Sequence, residues 1–332
     1  MPATRSSDPV ALFEAARSGD QAALARLLSM VERGGSPSRA VAGLAFKAPG
    51  DAYTVGVTGA PGSGKSTLTD RLITLVRQVG LEGGDRVAVL AVDPSSPYSG
   101  GAILGDRVRM PSHALDDHVF IRSMATRGHL GGLSVAVPDA VRVLSAVGIP
   151  VVLVETVGVG QQEVEVAAAT DTTVVVVNPG WGDAIQANKA GLLEIADVFV
   201  INKADRPGAR TTRRDLELML DLTDLGEWRP SIVETVASTG EGVETLWTTI
   251  AEHRDHQIEQ GTLQPMRQHR LEREFHQIVV ARVGKRIDTL TGQGRFADIT
   301  TAMLEGELDP YEAAERVVSE VLSDGAVPPS DG

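Results

Sequence analysis

The segment from Gly59 to Ser66 has the residue types and spacing of a phosphate-binding loop, G-x-x-x-x-G-K-[ST]. Its glycines let backbone N–H groups close around phosphate oxygens, and the start of the following helix adds a positive dipole end. We expect Lys65 to reach the β- and γ-phosphates and Ser66 to ligate Mg²⁺. The predicted phosphate site comprises Gly59, Ala60, Pro61, Gly62, Ser63, Gly64, Lys65, Ser66 and Thr67.

A second motif, Asn202-Lys-Ala-Asp205, follows an apolar run about 140 residues further along the chain. The Asp205 carboxylate can accept hydrogen bonds from guanine N1–H and the exocyclic amine, whereas adenine has no donor at N1. We expect Asn202 and the stem of Lys203 to support the loop and cover the base. A further loop containing Ala237, Ser238 and Thr239 could offer N–H groups to the guanine oxygen. Together with the phosphate loop, these residues predict GTP and GDP as ligands.

Acidic residues at the ends of other apolar runs are candidates for magnesium binding and catalysis. Glu155 could hold Mg²⁺ through water, and the Gly158 N–H could meet the γ-phosphate. Asp93 and Asp106 are further metal or water-positioning candidates. The predicted catalytic set is therefore Lys65, Glu155, Gly158 and Asp106, and the predicted metal ligands are Ser66, Asp93, Asp106 and Glu155.

The position after Gly158 lacks the glutamine that orients water in Ras-type enzymes. Val159 occupies it, and Gln161 and Gln162 follow two and three residues later. We therefore expect slow intrinsic GTP hydrolysis that a partner or dimerisation stimulates.

The middle of the chain alternates apolar runs with segments of helical spacing. Most runs are apolar throughout, which is typical of parallel strands covered on both faces. We predict an α/β fold of the P-loop NTPase type, a mostly parallel sheet covered by helices. Ligands bind at the carboxyl ends of such strands, so all these motifs should gather at one edge. The predicted strands span residues 53–58, 86–92, 118–122, 150–155, 172–177, 198–201 and 232–236.

Both ends of the chain are predicted to be helical. Residues 8–33 indicate two short helices, and residues 33–38 a turn or linker. Beyond residue 255 the apolar residues follow helical spacing, which favours a dimer arm over a cap on its own domain. The predicted domains are an N-terminal helical segment (1–50), a GTPase domain (51–255) and a C-terminal helical dimerisation extension with a tail (256–332).

The composition excludes several classes of function. The net charge of −13 disfavours binding to nucleic acid or to an anionic membrane surface. The absence of cysteine excludes disulfides and thiolate metal sites. The seven histidines form no metal set, and we expect His253, His256, His269 and His276 to be solvated. With no apolar run long enough for a membrane span and no secretory signal, the cytoplasm is the expected location.

Four segments together resemble the MeaB/ArgK family of SIMIBI-class GTPases: 93–110, which begins Asp-Pro-Ser-Ser-Pro; 155–163, which begins Glu-Thr-Val-Gly; Asn178-Pro-Gly180; and Asn202-Lys-Ala-Asp205. The resemblance extends over nearly the whole chain. It implies a homodimer, joined through the C-terminal helices, that loads adenosylcobalamin onto methylmalonyl-CoA mutase under GTP control and protects that enzyme. It also implies switch loops at about 93–110, 155–165 and 178–190. By position, Lys65, Ser66, Asp93, Asp106, Glu155 and Lys189 would be nucleotide-site or switch residues.

The sequence leaves two other functions open. One is nickel insertion by a SIMIBI GTPase, although such proteins carry Cys/His metal sites and this chain has no cysteine. The other is an ATP-dependent kinase linked to transport, which Asn202-Lys-Ala-Asp205 disfavours because that motif selects guanine.

Overall fold

A computed structural model describes residues 7–80, 84–94, 110–126, 136–156, 162–180, 193–292, 294 and 296–323. It contains a seven-stranded sheet in the order β3-β2-β4-β1-β5-β6-β7, in which every neighbouring pair is parallel. The strands are β1 (Tyr53–Gly59), β2 (Val87–Pro94), β3 (Val119–Thr126), β4 (Val151–Thr156), β5 (Thr172–Val177), β6 (Val198–Asn202) and β7 (Ser231–Thr235).

The predicted α/β fold is confirmed, and each predicted strand is present. Every residue of β1, β4, β5 and β6 is buried. A strand buried on both faces must be apolar at consecutive positions, which explains why its sequence shows no alternation. The helices of the sheet domain are α4 (Lys65–Val79), α5 (Ala136–Ala146), α6 (Gln162–Ala169), α7 (Ala209–Asp221) and α8 (Val243–Glu259).

Three helices precede the sheet: α1 (Pro9–Arg17), α2 (Gln21–Arg33) and α3 (Gly35–Lys47). The side chains of Asp8 and Asp20 accept from backbone N–H groups and so cap the N-termini of α1 and α2. The cap at Asp20 starts a new helix, in agreement with the two helices predicted over residues 8–33. The predicted turn or linker over 33–38 is wrong, because α3 begins directly after Gly34, whose φ of 75° ends α2. Pro37 lies in the first turn of α3, where proline costs no intrahelical hydrogen bond.

The chain divides into two compact units, Met1–Leu263 and Gln264–Gly332. The second unit contains most of α9 (Leu263–Gly292), together with α10 (Ala297–Leu304) and α11 (Pro310–Ser323). The helices predicted there are confirmed, while the three-domain division stays a prediction. Among the described residues, no helix is long and apolar enough to cross a membrane.

His253 is buried, with 3% of its surface exposed, so its predicted solvation is wrong. Its Nδ1 lies 2.8 Å from Thr172 Oγ1, and its ring lies 4.6 Å from that of Trp228. Burial lowers the pKa of His253 to about 4, which keeps the imidazole neutral near pH 7. It shares a helix face with buried Leu246 and Ile250, a spacing that the sequence already shows. His269 and His276 are exposed, as predicted.

Candidate nucleotide-binding site

The phosphate loop joins the end of β1 to the start of α4 and depends on glycine at two tight points. Gly59 has φ 134°, and a Cβ there would lie 2.1 Å from the carbonyl oxygen of Val176. Gly64 has φ 92°, and its Cβ would lie 2.3 Å from Asn202 Nδ2. Both the backbone conformation and the space exclude a side chain. The loop therefore lies directly against β5 and against the predicted guanine motif.

Lys65 begins α4 and is nearly fully buried, with 6% of its surface exposed. Its Nζ donates to the carbonyl oxygens of Gly59, at 2.6 Å, and Ala60, at 2.9 Å. The ammonium is therefore held against the loop itself, next to the N-terminus of the helix. Such a cation at a helix N-terminus is suited to neutralise bound phosphate.

Ser66, in the first turn of α4, contacts Glu155, near the carboxyl end of β4. The Ser66 hydroxyl donates to Oε1 of Glu155, whose side chain is 1% exposed. Mg²⁺ prefers hard oxygen ligands, and a hydroxyl and a carboxylate oxygen lie next to each other here. These residues therefore fit the Mg²⁺ that accompanies a nucleoside triphosphate. Asp93 lies near the carboxyl end of β2, which pairs with β4 through Ala91 and Glu155.

The predicted guanine motif contacts the phosphate loop directly. Asn202 Nδ2 donates to Ser63 O at 2.8 Å, and Lys203 Nζ donates to Gly62 O at 2.6 Å. Asn178 Nδ2, at the end of β5, also donates to Gly62 O, at 3.3 Å. Lys203 has φ 60°, a conformation uncommon outside glycine. Three side chains from the ends of two strands, β5 and β6, thus fix the carbonyl groups of the loop, and the exposed Asp205 follows β6 on the same segment.

Asn202 also fixes the turn that follows β7. Its Oδ1 accepts from Thr235 Oγ1 and from the backbone N–H of Ala237, both at 3.1 Å. The turn closes with Thr239 N–H donating to Val236 O at 3.0 Å. One buried amide therefore joins the phosphate loop to the segment predicted to face the guanine oxygen.

Several predicted residues lie outside the described residues: Asp106, Gly158, Val159, Gln161 and Lys189. Their roles stay predictions, as do most of the three switch loops. Among the described residues there is no cluster of three or more acidic, histidine or cysteine side chains that could hold a metal alone.

Arg71 is a residue that the motifs did not single out. It lies on α4 and donates to the carbonyl groups of Ala237 and Ser238. The only sequence signal is a long cation six residues after Lys65 on the predicted helix, which by itself indicates no partner.

The chain matches the family described as Methylmalonyl Co-A mutase-associated GTPase MeaB over residues 24–291. A protein of Pyrococcus abyssi named as a GTPase is 46% identical, covering 95% of this chain and 97% of its own. GTPase ArgK of Escherichia coli is 38% identical, covering 76% of this chain and 78% of its own.

A crystal structure described as LAO/AO transport system kinase superposes with a TM-score of 0.70, 24% identity, and coverage of 96% of this chain and 99% of its own. It supports the fold alone. The family match and the length of the alignments, together with a phosphate loop fixed to a guanine motif, lead to one conclusion: the chain belongs to the MeaB family of GTPases.

Proposed function

We propose that the protein binds and hydrolyses GTP in order to gate the loading of adenosylcobalamin onto methylmalonyl-CoA mutase, and that it protects that enzyme. The observation that carries the nucleotide part is the hydrogen bond from Asn202 Nδ2 to Ser63 O, which places a guanine motif against a phosphate loop. The mutase enters through the name of the matched family. The cobalamin step rests on the resemblance of the switch segments.

Different described residues would bind the phosphates, the Mg²⁺ and the base of GTP. The N–H groups of residues 59–64 and the start of α4 hold the phosphates, and the buried Lys65 supplies positive charge against them. Ser66 and Glu155 would hold Mg²⁺, which neutralises charge that develops on the β- and γ-phosphates when bound. Asp205 would accept from the guanine edge while Lys203 covers the base.

A slow intrinsic rate follows from the position after Gly158, where Val159 cannot orient water by hydrogen bonding. The missing group would be supplied, or an existing one repositioned, when the partner binds. GTP turnover would then report assembly with the mutase.

We expect methylmalonyl-CoA mutase to raise the GTP turnover of the purified protein at least about tenfold, since one well-placed water-positioning group contributes about 10²-fold or more. The measurement is phosphate release at saturating GTP, with and without the mutase, with ATP in parallel. Bovine serum albumin at equal concentration is the control. Unchanged GTP turnover would contradict the proposal that the mutase is the partner, but not the proposal that the protein is a GTPase. A preference for ATP would favour the transport-linked kinase.

We further propose that the protein is a homodimer formed through the C-terminal helices. On α9, Leu271, Phe275, Ile278, Val279 and Val283 follow one helix face and are between 37% and 67% exposed. Burying a large apolar side chain stabilises by about 1.5–3 kcal/mol. A second copy of the same helix supplies a matching apolar surface by symmetry.

The dimer can be tested by placing charge on this face. Phe275→Glu combined with Val279→Glu should convert a species of twice the chain mass into one of the chain mass. Light scattering after gel filtration measures it. Gln277→Glu, on the same helix and exposed, should leave the dimer intact. A wild-type protein of single chain mass at micromolar concentration would contradict the proposal.

A further inference from the structure

Arg71 makes a two-point contact with the turn after β7. Its Nε donates to Ala237 O at 3.1 Å, and its Nη2 donates to Ser238 O at 2.8 Å. A guanidinium is a rigid planar fork, so two bonds to consecutive carbonyl groups fix both peptide planes at once. Arg71 lies six residues after Lys65 on α4, so it extends from the phosphate-binding helix to this turn.

The hydrogen bonds of the turn leave one backbone donor for a ligand. The Ala237 N–H donates to Asn202 Oδ1, and the Thr239 N–H donates to Val236 O. Between them, the Ser238 N–H has no hydrogen bond within the described part of the chain, and Ser238 is exposed. In this turn the Ser238 N–H is therefore the donor available for a nucleotide base.

The direction of that donor is determined by Arg71. The Ala237 carbonyl and the Ser238 N–H belong to one peptide plane, and the chain has no cis peptide among the described residues. In a trans peptide these two groups point in opposite directions. Since Arg71 holds the carbonyl on the α4 side, the Ser238 N–H points away from α4.

We propose that Arg71 is a positioning residue for base specificity, which aims the Ser238 N–H at the O6 acceptor of guanine. This rests on the proposed GTP function and adds a second point of discrimination to Asp205. A fixed N–H donor favours the carbonyl of guanine and disfavours adenine, whose 6-amino group is itself a donor. Arg71 would touch neither the base nor the phosphates.

The test uses diphosphates whose bases keep or lack the O6 acceptor. GDP and IDP keep O6, and IDP lacks only the 2-amino group. The 2-aminopurine riboside diphosphate lacks O6 and, with it, N1–H. ADP also lacks the 2-amino group and carries an amine at position 6. The comparison for each ligand is between variant and wild type, so the shared loss of N1–H does not enter it. Affinities are measured by competition against a fluorescent GDP for the wild type, Arg71→Ala and Arg71→Lys. Arg214→Ala, which removes the same charge from an exposed position on α7, is the matched control.

We expect Arg71→Ala to bind GDP and IDP about tenfold more weakly, as loss of one aligned hydrogen bond implies. Its affinity for the 2-aminopurine nucleotide and for ADP, which both lack O6, should change less than about twofold. Its preference for GDP over ADP should therefore fall about tenfold. Arg71→Lys, which can donate to only one carbonyl at a time, should recover part of the loss. Arg214→Ala should match the wild type.

Two results would overturn the inference alone while the wild type still prefers GDP to ADP. One is unchanged GDP affinity in Arg71→Ala. The other is an equal loss for every ligand including the 2-aminopurine nucleotide, which would make Arg71 a general structural contact; thermal unfolding without nucleotide separates that result from misfolding. A wild type with no preference for GDP would overturn the proposed function and this inference with it.

Discussion

Replacing Lys65 by alanine is expected to lower the rate of GTP hydrolysis at least about 10²- to 10³-fold, the range found when one preorganised charge-stabilising donor is removed. Lys65 is buried at the start of α4, with its ammonium held against the loop by two carbonyl oxygens. Charge that develops on the phosphates during transfer would meet this ammonium at short range and low dielectric. Among the described residues, no other lysine or arginine of α4 donates a hydrogen bond to the phosphate loop.

The measurement is single-turnover GTP hydrolysis with Mg²⁺, together with the affinity for GDP. Lys47→Ala removes an identical charge from an exposed site at the end of α3, and its rate should equal that of the wild type. A Lys65→Ala protein that is folded and hydrolyses GTP within about threefold of the wild-type rate would show that the loop does not act on the phosphates.

The sheet was predictable because β1, β4, β5 and β6 are buried on both faces. Such a strand has apolar residues at consecutive positions, as the four valines of β5 show, and the run from Thr172 to Val177 was predicted with its observed bounds. Loop ends were less predictable. At the start of α3 the sequence Gly34-Gly35-Ser36-Pro37 favours a turn, yet proline in the first turn of a helix is equally allowed.

The candidate site also contains features that the sequence predicts and features that it does not. The motif residues were predictable because backbone geometry demands them: Gly59 and Gly64 have no room for a Cβ. The contacts between motifs were only partly predictable. Support of the phosphate loop by Asn202 was expected from the motif, whereas its second bond, to the Ala237 N–H, depends on where β7 ends in space.

Arg71 shows what local patterns leave out. Its two acceptors lie 166 and 167 residues further along the chain, and both are backbone carbonyls, which any residue type provides. No spacing rule connects them. Similarly, the polar neighbours of His253 in sequence favour a solvated side chain, whereas its place beside Leu246 and Ile250 on the helix face indicates the burial that is observed.

The contacts of Asn202 give a physical reason for expecting base and phosphate recognition to be coupled. Asn202 is 2% exposed and bonds at once to the phosphate loop, to Thr235 and to the turn at Ala237. A buried polar group bonded at each of its atoms resists movement, since breaking any bond leaves an unsatisfied partner. Asp205 is exposed. A substitution of Asp205 should therefore change base selectivity without disturbing the hydrogen bonds of Asn202.

Asp205→Asn should weaken GTP binding about 10²- to 10³-fold and give the protein measurable affinity for XTP. The carboxylate accepts from both N1–H and the 2-amino group of guanine, and a charged, two-point acceptor of this kind discriminates strongly. Asparagine offers one acceptor and one donor, so it opposes the guanine amine but pairs with the 2-carbonyl of xanthine.

Competition of GTP, XTP and ATP against a fluorescent GTP analogue, for the wild type and the variant, measures this change. Asp224→Asn makes the same substitution at an exposed position after α7, where the side chain accepts from Gly226 N–H, and it should not alter the preference. Because the phosphate loop, Asn202 and the turn at Ala237 are unchanged in Asp205→Asn, a gain of XTP binding would assign base reading to the carboxylate itself. If GTP affinity stays as in the wild type and XTP still does not bind, Asp205 does not face the base, and the guanine motif would have to be assigned a structural role.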